Sequence, residues 1–192
     1  VGFKDGQESV SITIADGTVG ISDYAFYKKT GLGAVTVPDS VKYIGYGAFY
    51  ECSSLSRVYM DVLASNLLEI SDYTFYKCSS LKQVDIPLEV EKIGRSAFYK
   101  SGVVVAKIPD YVKEIGAYAF YGCVKLACFE TPDSVVSIGE QAFFGCQSLS
   151  DVVIGSGVKQ IGALAFDSTA LSQSASGIVY ACLLYTSPSP RD

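Results

Sequence analysis

The sequence predicts a repeat solenoid, with short parallel β-strands stacked one per repeat and short helical turns on the other face. Three observations predict it. The nine-residue stretch Ile115–Cys123, Ile-Gly-Ala-Tyr-Ala-Phe-Tyr-Gly-Cys, returns with small changes as Ile21–Lys29, Ile44–Cys52, Ile70–Cys78, Ile93–Ser101, Ile138–Cys146 and Ile161–Thr169. The phenylalanines of these copies, Phe26, Phe49, Phe75, Phe98, Phe120, Phe143 and Phe166, are spaced by 23, 26, 23, 22, 23 and 23 residues. Each copy is preceded by a run that alternates apolar and variable residues, the pattern of a half-buried strand.

The period of about 23 lies in the 20–29 range of leucine-rich repeats, so the solenoid is assigned to the leucine-rich-repeat type. The spacing of 26 reflects three extra residues within Asp61–Glu69. The spacing of 22 reflects a one-residue deletion around Ser101–Val103.

The first element of each unit is the alternating run: Ile12–Ile14, Val35–Val37, Val58–Met60, Val84–Ile86, Ala106–Ile108, Phe129–Thr131 and Val152–Ile154. One such strand cannot bury its apolar face alone, whereas stacked neighbours bury a continuous core. A turn follows, marked by Pro38-Asp39, Pro109-Asp110 and Pro132-Asp133, and by Pro87 with Leu88. Proline fixes φ and cannot donate to a ladder, and aspartate bonds to nearby backbone. A second apolar pair, such as Val90 with Ile93 or Val112 with Ile115, reads as a second strand-like or irregular face. Gly45, Gly94, Gly116, Gly139 and Gly162 then bend the chain, and Ser22 and Ser71 are placed to cap the helical turn expected over Tyr-Ala-Phe-Tyr. In that turn the Ala allows close approach and the Phe points inward.

Composition bounds the function. Lys and Arg number 15 and Asp and Glu 20, for a net charge of −5, without a basic run. This argues against nucleic acid and against an anionic membrane surface. The longest apolar runs, such as Ile178–Tyr185, are far shorter than a membrane span of roughly 20 residues, so no membrane insertion is expected. There is no His, which removes the commonest general base and the commonest metal ligand. No nucleophile–base pair and no metal cluster is visible, so catalytic residues, metal sites and cofactors are expected to be absent.

The only Met is Met60, so a removed leader or an internal fragment of a longer protein is expected. The tail Cys182–Asp192 resembles a translated sequencing adapter. Residues 1–181 are therefore assigned to the solenoid, about seven repeats truncated at both ends, and 182–192 to a non-native tail.

The pattern Leu-x-x-Val-x-Ile-Pro-x-x-Val-x-x-Ile-Gly-x-x-Ala-Phe-x-x-Cys, running over Ile12–Leu171, resembles the BspA-like leucine-rich repeats. Asp61 stands where Pro is usual, Ser101 where Cys is usual, and Phe129 and Thr131 depart from the strand pattern. The resemblance implies large surface or secreted proteins of host-associated anaerobic bacteria and some protozoa, described as adhesins or host-protein binders. It implies an extracellular or cell-surface location and brings no catalytic residues.

Cys52, Cys78, Cys123 and Cys146 share one column. In-register neighbours would lie about 4.8 Å apart with parallel side chains, whereas a disulfide needs converging Cβ atoms about 3.5–4.5 Å apart. Buried free thiols are the expectation, with Cys128 outside the column. Tyr27, Tyr50, Tyr76, Tyr99, Tyr121 and Phe144 form an aromatic column, and Tyr24, Tyr73 and Tyr118 a partial second one; stacking along the solenoid is expected. The variable strand residues Thr13, Thr36, Tyr59, Asp85, Lys107, Glu130 and Val153 project from the sheet, as do Ser11, Ala34, Arg57, Gln83, Val105, Cys128 and Asp151 two residues earlier. Among them Arg57, Tyr59, Asp85, Lys107 and Glu130 are the candidate binding residues, a mixed charged patch suited to a protein ligand. The function expected is a non-enzymatic protein-binding scaffold, part of an adhesin. The alternatives are a structural stalk presenting another domain, or an intracellular interaction module.

Overall fold

The computed structural model describes residues 9–61, 63 and 66–173. The tail 182–192, the boundary at 181 and the chain termini lie outside these residues. Two strands form in each repeat, the second where the sequence shows a second strand-like or irregular face. The first set is β1 (Val10–Thr13), β3 (Leu32–Val37), β5 (Arg57–Met60), β7 (Gln83–Val84), β9 (Val105–Lys107), β11 (Cys128–Glu130) and β13 (Asp151–Val153). The second set is β2 (Gly20–Ile21), β4 (Tyr43–Ile44), β6 (Glu69–Ile70), β8 (Lys92–Ile93), β10 (Glu114–Ile115), β12 (Ser137–Ile138) and β14 (Gln160–Ile161). The strand pairings are parallel and join strands to their counterparts in the next rung, as in Val35↔Val58↔Val84 and Ile70↔Ile93↔Ile115↔Ile138↔Ile161.

Each ladder breaks once. The first runs β1-β3-β5-β7 and resumes as β9-β11-β13; the second runs β2-β4 and resumes as β6-β8-β10-β12-β14. Both breaks fall where the repeat length changes. The three extra residues lead into β6, and the one-residue deletion leads into β9. A change in length shifts the phase of the strand that follows and interrupts the ladder; at the second break a bond leads in, from the Val104 N–H to the Lys82 carbonyl at 3.1 Å.

The helical turns are overturned. Among the described residues the one α-helix is α1 (Ala170–Gln173). The Tyr-Ala-Phe-Tyr segments are instead chains of tight turns with two left-handed residues each, two before and two after the core Phe: Tyr24 and Lys28, Tyr73 and Lys77, Tyr118 and Gly122, through to Leu164 and Ser168. Left-handed residues cannot propagate a right-handed helix. The hydrogen bonds alternate accordingly. The Phe26 N–H donates to the Ala48 carbonyl of the next rung at 2.7 Å, while the Tyr27 N–H donates to Tyr24 of its own rung at 2.9 Å. The same alternation recurs at Phe75 (to Ala97, 2.7 Å) and Phe120 (to Ala142, 2.7 Å). The turns therefore form a third face of inter-rung bonds. No helix is present for Ser22 or Ser71 to cap. Asp23 and Asp72 instead reach across, accepting the N–H groups of Tyr46 (2.8 Å) and Arg95 (2.7 Å) from the next rung.

The core lies between these three faces. Its spine is the phenylalanine column, with ring centroids 5.0–5.5 Å apart from Phe26 to Phe166. Such pairs contribute about 0.5–1.5 kcal/mol each beyond their burial. Val35, Val58, Ile70, Ile93, Ile115, Leu81 and Leu126 pack around it, fully buried. Ala48, Ala97, Ala119 and Ala142 are also buried, and Thr74 takes the same place by donating its hydroxyl to the Ser71 carbonyl at 2.7 Å. The departures at Phe129 and Thr131 are absorbed. Phe129 lies 4.3 Å from the Phe143 ring, and the buried Thr131 hydroxyl accepts the Gly155 N–H at 2.8 Å.

Rung spacing depends on glycine at one position in particular. A Cβ on Gly139 would collide with the backbone of Ala117, one rung back. A backbone atom cannot swing aside, so this contact fixes how closely the rungs approach.

Candidate binding face

Alternation along β5 turns Val58 and Met60 into the core and Arg57 and Tyr59 outward. The two outward residues form one unit, with the guanidinium carbon 5.1 Å from the Tyr59 ring centroid. Arg57 sits in register between Ala34 and Gln83. On β7 the Gln83 amide donates to the Asp85 carboxylate at 2.6 Å, which holds Asp85 half-buried against the sheet. Lys107 and Glu130 are register partners on β9 and β11, and Val153 follows on β13. Both charged groups are exposed.

Three shallow hollows adjoin on this face. One of about 690 Å³ is lined by Met60, Asp61, Gln83, Asp85, Leu88, Val105 and Lys107 among others. A second, of about 480 Å³, shares Val105 and Lys107 and adds Asp110, Cys128, Glu130, Asp151 and Val153. A third, of about 520 Å³, continues over Asp110, Glu130, Asp133 and Ser156. The structure thus brings Asp85, Lys107 and Glu130 together in the hollows. Arg57 and Tyr59 lie on the same strand face but outside the lining. Leu88, Asp110 and Asp133 line the rim and are absent from the sequence-based patch. Their signal was the Pro-Asp and Pro-Leu turn after each strand, which sequence reading treats as turn chemistry alone. Asp133 is already engaged, since the Ser156 N–H donates to it at 2.6 Å and holds its carboxyl below the usual range.

The turn face carries the aromatic columns. Tyr27, Tyr50, Tyr76, Tyr99, Tyr121 and Phe144 stack at 4.4–5.4 Å. Partial burial raises the Tyr50 phenol to about 12. From Tyr50 to Phe144 neighbouring rings stack face to face, while Tyr27 is tilted by 34° and remains exposed. The partial column of Tyr24, Tyr73 and Tyr118 is more continuous than the sequence suggests. Tyr46 lies 5.4 Å from Tyr24 and 5.0 Å from Tyr73, and the Arg95 guanidinium lies 4.8 Å over Tyr118. Both come from one position earlier, in the rungs where Gly47 or Ser96 holds the left-handed site. Beside these rings Glu51 bridges Lys28 (3.5 Å) and Lys77 (3.1 Å). The hydrogen bond from Lys77 is the main cause of its lowered carboxyl pKa.

Cys52, Cys78, Cys123 and Cys146 are buried free thiols, and Cys128 is exposed. Burial pushes Cys52 and Cys123 up to about 11 and raises Cys78 and Cys146 as well. Buried, protonated thiols are poor nucleophiles and poor metal ligands. Among the described residues no three His, Cys, Asp or Glu side chains converge as a metal site would need. Among them, too, no helix is long and apolar enough to cross a membrane.

Comparison with known proteins adds the following. The family profile described as BspA type leucine rich repeat region matches in six copies, over residues 2–127 and 113–176. No curated protein matches the chain. The crystal structure of the T. pallidum leucine rich repeat protein TpLRR is similar at 31% identity over 80% of this chain and 73% of that one, with a TM-score of 0.73. A leucine-rich repeat protein from Bacteroides ovatus shares the fold at 23% identity, with a TM-score of 0.65. That alignment covers 83% of this chain and 49% of that one.

Proposed function

This chain belongs to the BspA-type leucine-rich-repeat family, and on that premise we propose that it is a non-enzymatic protein-binding scaffold engaging its partner through the strand face. One observation carries the reading. The inward residues repeat from rung to rung, while the outward residues of β5 to β13 differ at each rung, those from β7 onward surrounding adjoining hollows. A uniform framework displaying a varied surface is what stacked-repeat binders use for recognition. Charged groups and an exposed tyrosine suit a protein ligand better than an apolar one. Family members are typically cell-surface or secreted proteins, which supports a partner outside the cell and a role in adhesion to host or microbial proteins.

A second reading, a stalk that presents another domain, is favoured by the unbroken phenylalanine column, which runs through seven rungs as a rigid spine.

The test compares the protein with its Arg57→Ala/Tyr59→Ala/Asp85→Ala variant for capture of immobilised serum and extracellular-matrix proteins. Binding through the strand face predicts that capture is lost while the melting temperature is unchanged. Capture that survives the triple change removes the face assignment. A stalk predicts no capture by either protein.

A further inference from the structure

We propose that the strand face from β5 to β13 takes an extended, cationic segment of a partner polypeptide, its lysine or arginine side chains seated in the hollows. The proposal rests on the strand-face reading and adds the chemistry of the partner. The three hollows are lined by Asp61, Asp85, Asp110, Glu130, Asp133 and Asp151, against one cation, Lys107. Arg57, outward on β5 beside the hollows, is a second cation of this face, so six carboxylates stand against two cations here, whereas over the whole chain acids exceed bases only by 20 to 15. The carboxylates are strung along the axis rather than gathered, and no three converge as a metal ion requires. A ligand whose positive charges are likewise spread in a line is the match. Between the carboxylates lie Val105, Val153 and Leu88, exposed by 53%, 52% and 41%. Such apolar surface suits the aliphatic stems of lysine and arginine. Four steps of about 4.8 Å separate β5 from β13, a span of roughly 19 Å that about six residues of extended chain cover. Polyanions are repelled by the same field.

The test uses a fluorescein-labelled hexapeptide alternating Lys and Leu, and its counterpart with Glu for Lys, titrated by anisotropy at low ionic strength. The Lys peptide is expected to bind and the Glu peptide is not. Asp85→Asn/Glu130→Gln/Asp151→Asn is expected to weaken binding by at least about tenfold, as neutralised charge pairs do. A variant with the same net charge but altered elsewhere, Glu69→Gln/Glu114→Gln/Glu140→Gln, keeps it. Lys107→Gln tightens it several-fold, a gain that a damaged fold would not give. Absence of Lys-peptide binding, equal loss in both triple variants, or competition by free spermine as effective as that of the unlabelled peptide overturns the proposal. Preference for the Glu peptide, lost in the strand-face variant, overturns the partner chemistry but leaves the binding face standing. Loss confined to the second-sheet and turn variant overturns both.

Discussion

The Cys78 thiol donates a hydrogen bond to the carbonyl oxygen of Phe49, one rung back, at 3.0 Å. Cys52 makes the same bond to Phe26 (2.9 Å), Cys123 to Phe98 (3.0 Å) and Cys146 to Phe120 (3.1 Å). The column thus links four rungs to the ones before them without a covalent bond, Ser101 interrupting it, and it places the sulfurs where solvent cannot reach. In a Cys182→Ser background, a thiol reagent should label Cys128 rapidly and the four column cysteines only after unfolding. Labelling timed against circular dichroism checks this. Fast native labelling of Cys78 would contradict the burial described here.

The same groups set an alkaline limit. Their folded pKa values are raised, to about 11 for Cys52 and about 12 for Tyr50 against ordinary values of 9.0 and 10.0. A raised folded value means that stability is complete below the unfolded pKa and is lost as pH rises through the folded one. Melting temperature should hold to about pH 9 and fall between there and about pH 12, as the unfolded chain ionises first. Thiolate absorbance followed with the melting curve should show the four column cysteines, all raised by burial, ionising only as the fold is lost.

Two glycine substitutions separate crowding from backbone strain. Gly145 has a φ of 71°, and a Cβ there would meet no neighbour closer than the Gly122 Cα at 3.9 Å. Gly145→Ala should cost about 1 kcal/mol, the penalty of the left-handed region alone. Gly139→Ala should cost about 3 kcal/mol or more, since the rungs must separate. Denaturant titration of both variants measures the difference, and equal losses would remove the close-approach argument.

Phe98 sits mid-column, 5.3 Å from Phe75 and 5.1 Å from Phe120. Phe98→Ala should cost about 3–5 kcal/mol by leaving a cavity. Because each rung touches only its neighbours, the loss should also uncouple the two halves. Urea unfolding should then resolve into two transitions. A single, merely shifted transition would show that coupling runs through the other faces.

Much of this architecture was legible. The Phe column, the first strand of each repeat and the outward set from Arg57 to Glu130 follow from a period of two inside a period of 23. The second ladder was less so, because two-residue strands such as Lys92–Ile93 are too short to show alternation. The turns misled for a physical reason. Tyr-Ala-Phe-Tyr carries no helix breaker, and Tyr73 and Lys77 hold left-handed conformations that glycine would ordinarily mark. What holds them is bonding to Arg95 and Tyr99 in the next rung, and nothing local encodes that. Tyr46 and Arg95 are hidden in the sequence because they enter their column one residue early. Asp110 and Leu88 are hidden too, because after Pro109 and Pro87 they read as turn residues.

The two interruptions in the ladders do not coincide. Where β4 and β6 fail to pair, β3 and β5 remain joined, and where β7 and β9 fail to pair, β8 and β10 remain joined. The turn bonds from Phe49 to Thr74 and from Phe98 to Ala119 cross both places. A tensile load along the axis therefore meets no cross-section where the array hangs by one face. Like staggered joints in masonry, the offsets let the chain change repeat length twice without acquiring a plane of cleavage.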